Sequence, residues 1–118
     1  MRNLVVLGST GSIGRQTLDI ARVFSAEFRV VGLAAGNNLD LLGAQVQEFN
    51  PKMVCCASDA PMTLPSGARW TPMEEMVVHP DVDMVMAATI GTAGLIPTLR
   101  ALEYGKQVAL ANKEVIVM

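Results

Sequence analysis

Aromatic side chains are scarce in this chain: three Phe, one Trp and one Tyr make up 4% of its 118 residues. Rings cannot carry the core, so Val, Leu, Ile, Ala and eight Met must fill it, consistent with a hydrophobic fraction of 51%. A chain of this length is expected to form one domain that buries roughly two thirds of its unfolded surface. Basic stripes are also missing. Nine Lys and Arg are scattered singly and the net charge is −2, so nucleic acid is not an expected partner. Long apolar runs are absent as well. Leu4-Val5-Val6-Leu7 stops at Gly8, short of the about 7 to 15 residues of a signal-peptide core. The uncharged stretch from Met84 to Leu99 is interrupted by Gly91, Gly94 and Pro97 and falls below the ~20 residues of a spanning helix. No membrane partner is expected, and the expected setting is the cytoplasm. Only two cysteines occur, adjacent at Cys55 and Cys56. Strand alternation would turn them to opposite faces, away from a shared metal or redox role, as core cysteines of a reducing compartment.

What is present is a regular alternation of short β-branched runs and helical stretches. That pattern predicts an α/β, Rossmann-like, doubly wound and mostly parallel sheet with crossover helices. Strands are predicted at about 3–7, 29–34, 53–57, 84–88 and 107–111, nearly all apolar, as suits strands covered on both faces. A first helix from about Ser12 to Phe24 would turn Ile13, Thr17, Ile20, Ala21 and Phe24 inward and Arg15 and Asp19 outward. A second, capped by Asn37 or Asn38, would bury Leu39, Leu42, Val46 and Phe49 and stop before Pro51. Pro61, Pro65, Gly67 and Pro72 predict a mostly irregular connection over 58–72, anchored by Trp70, with a short helix near Met73 to Val78. A last helix would enter at Pro97 and end at Gly105, with Leu95, Leu99 and Leu102 facing the sheet. His79, beside Pro80, is expected at the surface.

The most informative motif is Gly8-Ser9-Thr10-Gly11-Ser12-Ile13-Gly14. A strand ending in Gly8, a turn through Gly11 and a helix with Gly14 in its first turn form a variant of the dinucleotide fingerprint. One glycine permits the tight turn, one lets backbone amides approach a pyrophosphate, and one lets helix and strand pack closely; the helix N-terminus favours the phosphate charge. Ser9, Thr10 and Ser12 add hydroxyl donors. No Gly-Lys-Ser/Thr follows, which disfavours a Walker loop. NAD-preferring sites place a carboxylate at the end of the second strand. Here that point reads Ala34-Ala35-Gly36-Asn37-Asn38, which favours NADPH: a 2′-phosphate would meet Asn donors and a helix N-terminus. The cation usually recruited for that phosphate is missing, Arg15 being read as a solvated surface residue. Ligands of open α/β sheets bind beyond the carboxyl ends of the strands. The glycine loop, Ala87-Ala88-Thr89-Ile90-Gly91 and Ala111-Asn112-Lys113-Glu114 should converge there.

Taken together, GSTGSIG at 8–14, AAGNN at 34–38, MAATIGTAGLIPTL at 86–99 and ALANKE at 109–114 resemble the NADPH-binding domain of the 1-deoxy-D-xylulose 5-phosphate reductoisomerase family, over nearly the whole chain. The resemblance implies that Gly8, Thr10, Gly11, Ser12, Ile13 and Gly14, then Gly36, Asn37 and Asn38, and also Asn112 and Glu114 belong to the cofactor site. Lys113 matches the family's substrate-binding lysine. It further implies a homodimeric enzyme that uses NADPH and a divalent cation, Mg or Mn, on a phosphorylated sugar in isoprenoid precursor synthesis. The family's metal-ligating Asp and Glu, substrate domain and lid fall beyond Met118, so residues 1–118 are read as the cofactor half of a divided site, inactive alone and without catalytic or metal-ligating residues. Two departures stand out. Asn37 occupies a position where some members carry a basic residue, and 58–72 is shorter and richer in proline than usual. The competing readings are another two-domain NADPH reductase of the semialdehyde dehydrogenase or dihydrodipicolinate reductase type, and a non-enzymatic NAD(P)-sensing domain.

Overall fold

The computed structural model describes residues 1–57, 62–88 and 95–110, with only the backbone of Leu95 and Leu110. Ten elements follow one another: β1 (Arg2–Leu7), α1 (Ser12–Val23), β2 (Phe28–Ala34), α2 (Leu39–Phe49), β3 (Met53–Cys55), β4 (Arg69–Trp70), α3 (Met73–Met76), β5 (Met84–Ala87), α4 (Leu95–Glu103) and β6 (Gln107–Leu110). The strands form one sheet in the order β4-β3-β2-β1-β5-β6, and every pairing is parallel. The chain winds outward from β1 to β4, then returns to place β5 on the other side of β1. The direction of winding therefore reverses between β1 and β5, the switch point at which doubly wound sheets open a crevice.

Alternation along the strands feeds two cores. Leu4, Val6, Leu33 and Val54 pack with Leu18 and Ala21 of α1 and Leu42 and Val46 of α2 on one face. Val5, Leu7, Val31, Ala34 and Val85 pack with Met76, Val77 and Ala101 on the other. Both faces are covered, which is why the strands read as almost unbroken apolar runs. Cys55 packs against the second of these cores and Cys56 against the first, on opposite faces as alternation requires; both are half-buried and neither forms a disulfide.

Two expectations are corrected and one is refined. The described part of the connection over 58–72 is mostly irregular, as expected, and adds one short strand: Arg69 and Trp70 pair with Met53 and Val54 at the sheet edge, with Trp70 half-buried against the core as an anchor. A two-residue strand is too short to show a periodicity. In α1 the buried residues are Gly14, Thr17, Leu18 and Ala21, whereas Ile13, Ile20 and Phe24 are exposed at 41%, 55% and 48%. In α4 Pro97, Thr98 and Ala101 are buried and Leu99 and Leu102 face outward; the side chain of Leu95 lies outside the described residues. Both helices carry apolar residues on two faces, and the face with the smaller residues, which permits the closer approach, is the one laid on the sheet. Helix α4 also begins two residues before Pro97, leaving the proline in the first turn, where its missing N–H costs nothing. Gly105 follows the helix with φ +73°, the left-handed conformation of a C-terminal stop.

Candidate functional site

The site is built where β1 ends. Gly8 adopts φ +86°, a conformation that an L side chain strains, and its N–H and that of Ser9 both donate to the carbonyl of Ala34, at 2.7 and 2.9 Å. The turn closes with the Gly11 amide donating to the Gly8 carbonyl at 3.2 Å. Gly11 is the N-cap of α1, no side chain caps that helix, and its first turn holds no acidic residue. Its leading amides and the positive end of its dipole are thus left for an anion. Gly14 supplies the close approach. A Cβ there would lie 2.0 Å from the Gly8 carbonyl oxygen and 2.8 Å from both the Gly8 carbonyl carbon and Ser9 Cα, all backbone atoms. A Cβ on Gly11 would meet the same oxygen at an ordinary 3.6 Å. The three glycines therefore hold three distinct roles: positive φ, an open approach, and contact between helix and turn.

A cavity of about 390 Å³ lies over this turn. Gly8, Thr10 and Gly11 form one wall, Ala34, Ala35 and Gly36 after β2 a second, and Cys55, Cys56 and Ala57 after β3 a third, with Met73 and Ala88 at the margins. Backbone bonds tie these strand ends together: Ala35 N–H to Cys55 O at 2.9 Å, Ala57 N–H to Gly36 O at 3.2 Å, and Ala88 N–H to Leu7 O at 2.9 Å. Among the described residues, no charged side chain lines the cavity. Burial pushes the Cys55 thiol up from its ordinary range, against a hydrogen bond from the Met73 backbone that acts the other way, so it stays a neutral thiol near pH 7.

The structure brings together the residues expected from the glycine loop and the second turn. Gly8, Thr10, Gly11 and Gly36 line the cavity, Gly14 sits under the turn, and Ser12 and Ile13 are exposed at the start of α1. Asn37 and Asn38 are exposed beyond Gly36. Of the two, Asn38 is the helix cap, its Oδ1 accepting from the Leu41 amide at 3.2 Å. Arg15 is exposed, with Nε 3.4 Å from the Gly11 carbonyl. Ser9 differs from expectation: it is fully buried and its hydroxyl has no partner among the described residues, so it offers nothing to a ligand. Asn112, Lys113, Glu114 and residues 89–91 lie outside the described residues. The last residues of β1, β5 and β6 are in register, Leu7 beside Ala87 and Ala87 beside Leu110, so the strands that precede these segments end at the rim where the glycine turn begins. His79 is half-buried near the opposite rim, its Nδ1 accepting from the Asp81 amide at 3.1 Å.

Two parts of the site escape the sequence reading. Cys55-Cys56-Ala57 forms a cavity wall, although the rule that ligands bind beyond strand ends applies to β3 as much as to β1. Gln45, 3% exposed, reaches from α2 to donate from Nε2 to the Ser9 carbonyl at 2.8 Å. Its signal is a polar residue set between Leu42 and Val46 on an otherwise apolar helix face.

An all-parallel sheet with a glycine turn and an uncapped helix at its switch point defines a Rossmann-type domain of the doubly wound class. Residues 4–118 match the 1-deoxy-D-xylulose 5-phosphate reductoisomerase family, and the chain belongs to that family. It is 45% identical to the reductoisomerase of Caldanaerobacter subterraneus subsp. tengcongensis, over 99% of this chain and 33% of that protein. It is 40% identical to that of Nostoc punctiforme, over 99% and 32%. The chain thus spans about a third of the length of these relatives. Among solved structures, a DOX-P reductoisomerase in complex with NADPH, fosmidomycin and magnesium superposes with a TM-score of 0.86 at 34% identity, over 100% of this chain and 32% of that one. The Zymomonas mobilis reductoisomerase in complex with NADPH gives 0.78 at 34% identity, over 98% and 33%. A Synechocystis biliverdin reductase shares the fold alone, at 17% identity and a TM-score of 0.66.

Proposed function

We propose that this chain is the NADPH-binding part of a 1-deoxy-D-xylulose 5-phosphate reductoisomerase, and that the whole protein converts 1-deoxy-D-xylulose 5-phosphate to 2-C-methyl-D-erythritol 4-phosphate on the non-mevalonate route to isoprenoid precursors. The observation that carries the reading is the contact of Gly14 with the Gly8 carbonyl. It sets an uncapped helix N-terminus directly behind a turn that opens, at the switch point, on a cavity with no charged lining among the described residues. The fit to a dinucleotide follows from these groups: backbone amides for the pyrophosphate, and small residues at the ends of β2 and β3 for a flat base. Thr10, Gly11, Ser12 and Ile13 hold the pyrophosphate. Gly36, Asn37 and Asn38 receive the adenosine ribose, where the segment Ala34 to Asn38 carries none of the carboxylate that favours NAD. Asn112 and Glu114 complete the cofactor site, and Lys113 attracts and orients the phosphorylated sugar.

When bound, NADPH supplies the hydride and a divalent cation polarises the substrate's oxygens. Among the described residues no three His, Cys, Asp or Glu side chains come together to hold a metal, and the proposal assigns the Mg or Mn ligands to the part of a family-length protein that this chain does not span. A homodimeric, cytoplasmic enzyme belongs to the same proposal and rests on the family resemblance. The test is turnover by the family-length protein with NADPH, a divalent cation and the phosphorylated ketose. NADPH consumption that requires both metal and substrate is expected. An inactive protein whose assembly state shifts on adding NADPH would instead favour a sensing domain.

A further inference from the structure

Gln45 is a costly residue at its position. Its side chain is 3% exposed and its Oε1 has no partner among the described residues, so burying the amide carries a desolvation cost that its other contacts must offset. Leu42 and Val46 on either side pack directly into the core, and a Leu or Met would fill the same space without that cost. What the amide gains is one bond, Nε2 to the Ser9 carbonyl at 2.8 Å, buried and spanning 36 positions of sequence. Ser9 is itself fully buried, and its carbonyl lies within the turn from Gly8 to Gly11. On its strand side that turn is held by the Gly8 and Ser9 amides on Ala34; from the helical layer Gln45 holds it. The helix that carries Gln45 is capped by Asn38, two residues after Gly36 of the same cavity wall.

We propose that Gln45 is a positioning residue for the dinucleotide: by holding the Ser9 carbonyl it fixes the glycine turn against α2, and so ties the pyrophosphate cradle to the wall that receives the ribose. The inference rests on the reading of the cavity as the NADPH site. A purely structural Gln45 would affect all ligands and stability together. A positioning Gln45 affects the ligand that carries a pyrophosphate and spares one that does not.

The experiment uses this chain, with calorimetric affinities for NADPH and for adenosine 2′-monophosphate, and the unfolding midpoint. Gln45→Met keeps the size and removes the donor. Its expected result is a loss of about fivefold or more in NADPH affinity, the scale of one net hydrogen bond, with adenosine 2′-monophosphate bound within about twofold of the parent. Val46→Ala, on the same helix and away from the turn, is expected to lower the midpoint while leaving both affinities within about twofold. NADPH affinity unchanged in Gln45→Met, or equal weakening of both ligands, overturns the proposal. Gln45→Glu, which keeps the length and cannot donate when ionised, is read in the same way if the Met variant folds poorly. Failure of the parent chain to bind NADPH would instead overturn the underlying reading of the site.

Discussion

Replacing glycine by alanine at two positions three residues apart separates close packing from ligand approach. At Gly14 the added methyl would lie 2.0 Å from the Gly8 carbonyl oxygen, with two further backbone atoms at 2.8 Å. None of these is the movable end of a side chain, so α1 and the turn must separate. Overpacking of this kind costs about 1–3 kcal/mol. For a domain of this size that lowers the unfolding midpoint by roughly 4 °C per kcal/mol. Because the shift opens the turn proposed to cradle the pyrophosphate, NADPH affinity is expected to fall by more than about tenfold, or 1.4 kcal/mol; Gly14→Val, with its larger side chain, falls at least as far. Gly11 has φ −78° and ψ 174°, which any residue adopts, and its added methyl would meet one atom at 3.6 Å. Gly11→Ala is therefore expected to unfold within about 2 °C of the parent yet lose affinity, because Gly11 lines the cavity and an added methyl would crowd the proposed approach of the pyrophosphate. Thermal unfolding by circular dichroism and NADPH titration by calorimetry give the two numbers for each variant. A Gly14→Ala chain with parental stability and affinity would refute the packing argument. A Gly11→Ala chain that binds NADPH as well as the parent would refute the approach argument.

Other perturbations have equally definite outcomes. Asn38→Ala removes the side-chain cap of α2 and should cost about 1 kcal/mol, read as a lower midpoint; an unchanged midpoint would mean that the Asn38–Leu41 contact contributes nothing. Glu48 and Asp81 are both held below their ordinary values, Glu48 chiefly by its hydrogen bond from Arg22 and Asp81 chiefly by that from Lys52. A carboxylate with a depressed folded value contributes stability that is present above its unfolded value and lost as the pH falls through the folded one. The midpoint of the parent should therefore fall on acidification through the carboxylate range, and Arg22→Met should flatten part of that fall; parallel curves would contradict it. Both groups are exposed, so the effect is small. NADPH should slow alkylation of Cys55 and Cys56, which line the cavity, and equal rates with and without it would argue that the base lies elsewhere.

The β1–turn–α1 unit was legible because glycine spacing is a direct statement about backbone geometry, and each of its three glycines has a distinct physical role in the fold. The strand positions were legible because both faces are buried, which leaves apolar runs. Helix faces were less so. In α1 the run Ile13, Ile20 and Phe24 has the correct period but is exposed, since the requirement that Gly14 touch Gly8 fixes the rotation of the helix and brings Leu18 and Ala21 inward. The same competition between small and large residues turns Ala101 inward in α4 and Leu99 and Leu102 outward. Gln45 is not legible in the sequence because a single amide among apolar neighbours has no local partner to announce it; the partner, Ser9, lies 36 positions away. Asn112, Lys113 and Glu114 stand out only as polar residues beside an apolar strand, and their roles come from the family likeness.

The central claim is that the crevice at the carboxyl ends of β1, β2 and β3 receives NADPH, and amide NMR of this chain titrated with NADPH and with NADH tests it most directly. The expected result is saturable shifts at Gly8, Thr10, Gly11 and Ser12 and at Gly36, Asn37 and Asn38, reached at lower concentration with NADPH than with NADH. Shifts confined to the opposite rim, around Asp81 and Lys106, or no shifts with either nucleotide, would contradict it.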